Sequence, residues 1–216
     1  MERLIIFCIF SFFVAHKSIA QYDTDTIRNI FIYKEGIYLD YLQFRENKPI
    51  PKEKIVSDID TSQLDFFTKI ISKKSIQFYD INGQVQQVEP STVWGYYQNE
   101  ILFINYKNTF YKVPVIGSIC YFIGTEEVTY YSSYGMGMSM GYPYGMNVPM
   151  KVKETREFLM DYYTGNIYLF SIEQLEEMLK ADSALYTEFS KLNKRLKKKR
   201  YSYYIRLFNE KHPIKH

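Results

Sequence analysis

The stretch Ser75–Val113, SIQFYDINGQVQQVEPSTVWGYYQNEILFINYKNTFYKV, decides the fold. Ser75 to Tyr79 and Gln84 to Val88 are short β-prone runs on either side of Ile81-Asn82-Gly83. An Asn-Gly pair accepts the positive φ angles of a tight turn, so these two runs predict a hairpin. Thr92 to Tyr97, Ile101 to Tyr106 and Thr109 to Val113 follow at short, even spacing, with Gln98-Asn99-Glu100 and Lys107-Asn108 as the turns between them. That spacing predicts an antiparallel meander curling into a small sandwich or open barrel.

Working outward, Ile30 to Tyr33 is a short apolar run, and Gly36 precedes the strand-like Ile37-Tyr38-Leu39. Asp40 to Asn47 reads as one or two helical turns ended by Pro49 and Pro51. On the other side Pro114 marks an edge or a bend, because proline cannot donate to a ladder. Val115 to Gly124 and Val128 to Tyr131 continue the sheet, and Lys151 to Tyr163 turns at Thr164-Gly165-Asn166 into Ile167 to Phe170. Between these strands, Ser132 to Met150 carries no charge and holds five Met, four Gly, three Tyr and two Pro. Such a tract offers no periodic core face and reads as a loop or mobile hairpin tip.

The C-terminal part is helical. Ser171 with Gln174 three residues on makes a capping box, and Ile172, Leu175, Met178 and Leu179 form one apolar stripe. Asp182 caps a second helix whose Leu185, Phe189, Leu192, Leu196, Tyr203 and Leu207 lie on one face, closed by Pro213. The expected fold class is therefore α+β: a curled antiparallel sheet followed by two C-terminal helices, the last long and basic. The expected organisation is 1–20 signal peptide, 21–131 β-rich body, 132–150 low-complexity loop, 151–170 hairpin completing the body, and 171–216 helical region.

The 216 residues are 46% hydrophobic, 24% charged and 18% aromatic, which suits a folded core and excludes disorder throughout. Met1 to Ala20 reads as a secretory leader. Arg3 supplies the basic start, Leu4 to Ala15 the apolar run, and Ser18-Ile19-Ala20 the small residues before cleavage ahead of Gln21. The expected destination is the periplasm, outer envelope or extracellular space. The residues before Cys8 are too large for lipoprotein processing, and no later stretch approaches 18 apolar residues, so no integral span is expected. Cleavage at Ala20 leaves Cys120 as the single cysteine, read as a buried inert thiol. It also leaves only His212 and His216, which argues against His-based catalytic triads and zinc sites.

Four features invite chemical readings. Met136, Met138 and Met140 alternate, and thioether sulfur is a soft ligand suited to Cu(I). No other cofactor is expected. Lys191 to His216 holds ten Lys or Arg against one acid, while Gln21 to Ser190 is net acidic. Lys194, Arg195, Lys197, Lys198, Lys199 and Arg200 are candidate contacts to phosphates of an anionic envelope surface, with Tyr201, Tyr203 and Tyr204 beside them. Nucleic acid is the disfavoured anionic partner. The 22 tyrosines, joined by Trp94, could form a stacking platform for sugar rings. Glu126-Glu127, Asp58 with Asp60, and Glu173 with Glu176-Glu177 are the carboxylate clusters a glycan-active enzyme would need.

Some of these pieces occur together in a recognisable set. Gly36-Ile37-Tyr38-Leu39 with Asn47-Lys48-Pro49, Val93-Trp94-Gly95-Tyr96 leading to Ile101 to Asn105, Tyr163 to Tyr168, and Leu185 to Phe189 before a basic helix resemble a functionally unassigned family of secreted Bacteroidetes-type proteins. The resemblance covers most of the chain after the leader. It implies export and a β-plus-helix build, and brings no catalytic residues. The expected function is a non-catalytic envelope module that binds a protein or an anionic envelope partner. Cu(I) handling is the alternative, and a glycan-binding or glycan-active protein the next.

Overall fold

In a computed structural model of the chain, residues 33–133 and 147–215 are described. Met1 to Ala20, Met136, Met138 and Met140 lie outside the described residues. The architecture is α+β, with three antiparallel sheets that do not close into a barrel and a helical C-terminal region.

The central sheet has the order β1-β5-β6-β7, formed by Gly36–Tyr38, Gly95–Gln98, Ile101–Tyr106 and Thr109–Val113. Its meander is built by two-residue turns. Asn99 and Glu100 have φ of 49° and 61°, Lys107 and Asn108 have 52° and 62°, and the strands pair as Gln98↔Ile101 and Tyr106↔Thr109. Turns with two positive φ angles match the twist of the strands they join.

The second sheet, β2-β3-β4, comprises Ile55–Val56, Ile76–Tyr79 and Val85–Val88. Its hairpin turn is longer than the Asn-Gly pair suggests. Only Gly83 takes a positive φ (76°), while the Asp80 carboxylate accepts from the amides of Asn82 and Gln84 and so closes the loop. Helix α1 (Tyr41–Arg45) is capped by Asp40, whose side chain accepts from the Gln43 amide at 2.8 Å. Helix α2 (Phe66–Ile71) is an element that the sequence expectations lack. It buries Phe66, Phe67 and Ile70 in a core shared with Ile37, Ile55, Ile76, Phe78 and Tyr96.

The third sheet, β10-β9-β8, is formed by Ile167–Leu169, Asn147–Asp161 and Ile119–Ser133. Strand β7 ends at Val113 and the chain enters this different sheet after Pro114, so the meander does not return to β1. Strands β8 and β9 pair over fifteen residues each, from Ile119↔Asp161 to Ser133↔Asn147. The ladder thus includes Ser132, Ser133 and Asn147 to Met150. Strand β10 covers only Phe158 to Met160 of β9. The central sheet meets this one through aromatic rings: Phe122 stacks on Phe158 at 5.1 Å, and Tyr106 and Tyr111 pack on them.

Three C-terminal helices, rather than two, cover the other face of the third sheet. They are α3 (Ile172–Leu179), α4 (Ser183–Ser190) and α5 (Lys194–Lys211). Ser171 and Asp182 cap the first two as expected, accepting from Gln174 at 3.0 Å and from Leu185 at 2.9 Å. The apolar run after Asp182 is broken because Asn193 caps a new helix, accepting from Leu196 at 3.0 Å. The break lets the run fold back on itself. Leu185 and Phe189 of α4 then share a core with Tyr204, Ile205 and Phe208 of α5, and the rings of Phe189 and Tyr204 lie 4.8 Å apart. One unbroken helix would carry these residues along a single stripe, where they could not face one another.

Candidate anion-binding helix face

Helix α5 is anchored to the third sheet along one side. The Asn209 amide brackets the main chain of Ile119, with Oδ1 accepting from its N–H and Nδ2 donating to its carbonyl, both at 2.8 Å. Gly117 leaves the room this requires, since a Cβ there would lie 2.3 Å from the Asn209 side chain. The Tyr201 hydroxyl donates to Glu157 at 3.1 Å, and Tyr121 donates to the same carboxylate oxygen at 2.9 Å. Tyr204 is fully buried and donates to Glu188 at 2.7 Å. Burial, and then the Glu188 carboxylate, push the Tyr204 hydroxyl up to about 12. At the helix end, His212 faces Asp182 at 3.1 Å and the Ser118 hydroxyl donates to the His212 carbonyl. The end of the helix is therefore tied down at His212.

These anchors set the opposite face of α5 toward solvent. Arg195, Lys199, Ser202 and Arg206 recur at spacings of four, three and four, so they share that face, and all are exposed. Tyr203 is 45% exposed beside them, and the Arg206 guanidinium lies 5.9 Å from its ring. Lys198 and Arg200 are exposed on the flanks, and Lys194 is exposed at the start of the helix, as is Lys191 before it. None of these seven cations forms an ion pair among the described residues.

The sixth predicted contact differs. Lys197 points inward, with its side chain 15% exposed, paired to Glu176 and 5.6 Å from the Phe189 ring. It joins α5 to α3 and α4. Of the three neighbouring tyrosines only Tyr203 is on the open face, because Tyr201 and Tyr204 belong to the anchored side. Arg206 was missed from the predicted set, although it falls at i+7 and i+11 from Lys199 and Arg195. Helical spacing rather than local charge density identifies it.

The position of this charge is electrostatically unfavourable for the helix. The N-terminal end of a helix carries a partial positive charge, and cations there destabilise it. Lys194–Lys198, Arg195–Lys198 and Arg195–Lys199 are also like-charge pairs at three- or four-residue spacing, which repel. No acid lies in the first turn of α5 to offset them.

The other candidate chemistries fall into place more simply. Burial pushes the Cys120 thiol up to about 12, and its Sγ donates to the Gly117 carbonyl at 3.2 Å, so it is an inert packing group. Glu126 and Glu127 project to opposite faces of the β8–β9 ladder, pairing with Lys107 at 2.5 Å and Lys151 at 2.7 Å. Asp58 pairs with Lys73 at 2.6 Å, Asp60 accepts from the Ser62 amide at 2.9 Å, and Glu177 pairs with Lys180 at 2.5 Å. Among the described residues, no three His, Cys, Asp or Glu side chains gather as a metal site, and no helix is long and apolar enough to cross a membrane. No protein-family model matches the chain, and no curated protein or solved structure matches it.

Proposed function

We propose that this chain is an exported, non-catalytic module that binds an anionic envelope surface through the open face of α5. The observation that supports this reading is the row Arg195, Lys199 and Arg206, flanked by Lys198 and Arg200, with Lys194 exposed at the helix start. The row is exposed and unneutralised, and Lys194 and Arg195 stand in the first turn, where the helix tolerates a cation least. Charge kept at a cost to the fold is charge available to a partner. Arginine forks suit the paired oxygens of a phosphate, and Tyr203 suits the boundary between headgroup and hydrocarbon.

The test is vesicle flotation of the chain from Gln21 onward. Vesicles containing anionic phospholipid should retain the protein and zwitterionic vesicles should not, with retention falling as salt rises. Each cation near an anionic membrane contributes about 1 kcal/mol, so replacing Arg195 and Lys199 by Gln should weaken binding about 30-fold. Equal retention by both vesicle types, or a double variant that binds as well as the parent, would end the proposal.

A further inference from the structure

A second surface, independent of α5, carries its own ligand chemistry. Where α1 meets the central sheet, an open cleft of about 430 Å³ is lined by Trp94 and Tyr41 together with Asp40, Asn105, Lys107 and Asn108. That volume lies within the range of small-ligand sites. We propose that this cleft is a saccharide-binding site in which Trp94 and Tyr41 pack against the C–H faces of a sugar and the polar lining pairs its hydroxyls.

The aromatic part is held rigid before any ligand arrives. The Trp94 amide donates to the carbonyls of Tyr38 and Leu39, both at 3.1 Å, and its carbonyl accepts from Asn105 at 2.7 Å. Its ring stacks on the buried Phe44 at 4.3 Å, with an interplanar angle of 26°. The Tyr41 hydroxyl donates to the Tyr162 carbonyl, and its ring lies against Gly165, where a Cβ would approach within 2.9 Å. The two rings sit 5.8 Å apart at 52°, forming an angled platform. Aromatic faces are electron-rich and attract the polarised C–H bonds of a sugar face. Holding them fixed removes an ordering cost from binding.

The polar part matches a neutral polyhydroxyl ligand better than an ion. Asp40 lines the cleft from one side, and Lys107 lines it from the other with its ammonium already paired to Glu126, so no row of like charges awaits an ion there. One Asp40 oxygen caps α1, leaving the second as an acceptor. The Asn105 amide group donates to the carbonyls of Ser91 and Val93, both at 2.9 Å, which fixes the rim loop. Its Oδ1 has no protein partner among the described residues and remains as a further acceptor. The openness of the cleft at the surface suits a segment of a longer chain of sugars.

Trp94 is the sole tryptophan, so its emission reports on this cleft without interference. Cellotriose, chitotriose and mannotriose would each be titrated to about 10 mM, a range that captures the weak, millimolar affinities of small ligands. A saturable change in Trp94 emission with at least one of them is the expected result. Asp40→Asn keeps the cap, since Asn and Asp cap equally well, and should weaken that binding at least tenfold. Trp94→Phe, followed by calorimetry, should abolish it. A flat response to all three sugars, or binding unaffected by both substitutions, would overturn the assignment. An unchanged circular dichroism spectrum and melting temperature in Asp40→Asn separates a lost ligand contact from a damaged fold.

Discussion

Replacing both Arg195 and Lys199 by Gln should make the protein more stable while making it bind less. The two side chains are exposed and make no ion pair among the described residues, so their removal costs no native contact. Gln and Lys have similar helix propensities, which leaves the electrostatic change dominant. Arg195 sits in the first turn, where removing a cation returns about 0.3 to 1 kcal/mol. The Arg195–Lys198 and Arg195–Lys199 repulsions are worth about 0.2 to 0.5 kcal/mol each. The sum is about 1 kcal/mol at low ionic strength, or a rise in Tm of about 2 to 4 °C for a domain of this size. Urea denaturation in 20 mM and 1 M salt would measure it, and the gain should shrink in 1 M salt, where the screening length falls to about 3 Å. A double variant less stable than its parent by 1 kcal/mol or more would mean that these cations hold the fold together. The physical ground for assigning them to a partner would then be gone.

Other expectations follow from the anchoring contacts. Asn209→Ala removes both hydrogen bonds to Ile119 and should cost about 2 kcal/mol, visible as a lower urea midpoint with an unchanged slope. Cys120 should resist iodoacetamide at pH 8 in the native protein and react fully in urea; rapid native labelling would contradict its burial. Asp182 is lowered from 3.8 to about 2, first by the Leu185 amide and then by His212. Its contribution is complete above the unfolded value and is lost as pH falls from about 4 towards 2, so Asp182→Asn should flatten acid denaturation in that window. An acid profile identical to the parent's would show that the pair contributes nothing.

The β architecture was legible because its signals are local. Asn99-Glu100 and Lys107-Asn108 are turn residues flanked by strands of matching length, so the β5–β7 meander follows from neighbours in sequence. The caps at Ser171 and Asp182 read correctly for the same reason, as each satisfies amides two or three residues away. Helix α2 did not read because Phe66, Phe67 and Ile70 keep helical spacing over only six residues, too short a window to tell a helix from a strand. The break before Asn193 was hidden by the apolar spacing on either side of it, which fits one helix as well as two.

The candidate surfaces divide in the same way. Composition alone places an excess of cations after Lys191, and it makes the scarcity of histidine and cysteine plain. Charge density cannot say which side chains point outward, because that depends on which face of the helix is buried. Only the packing of α5 on Ile119 and α4 turns Lys197 inward to Glu176, hides Tyr201 and Tyr204, and lines Arg206 up with Arg195 and Lys199. The cleft at Trp94 is likewise a tertiary product. Asp40 and Tyr41 are more than fifty residues from Trp94 in the chain and more than sixty from Lys107. The pairing of β1 with β5 brings them together, and no pattern within a local window encodes that meeting.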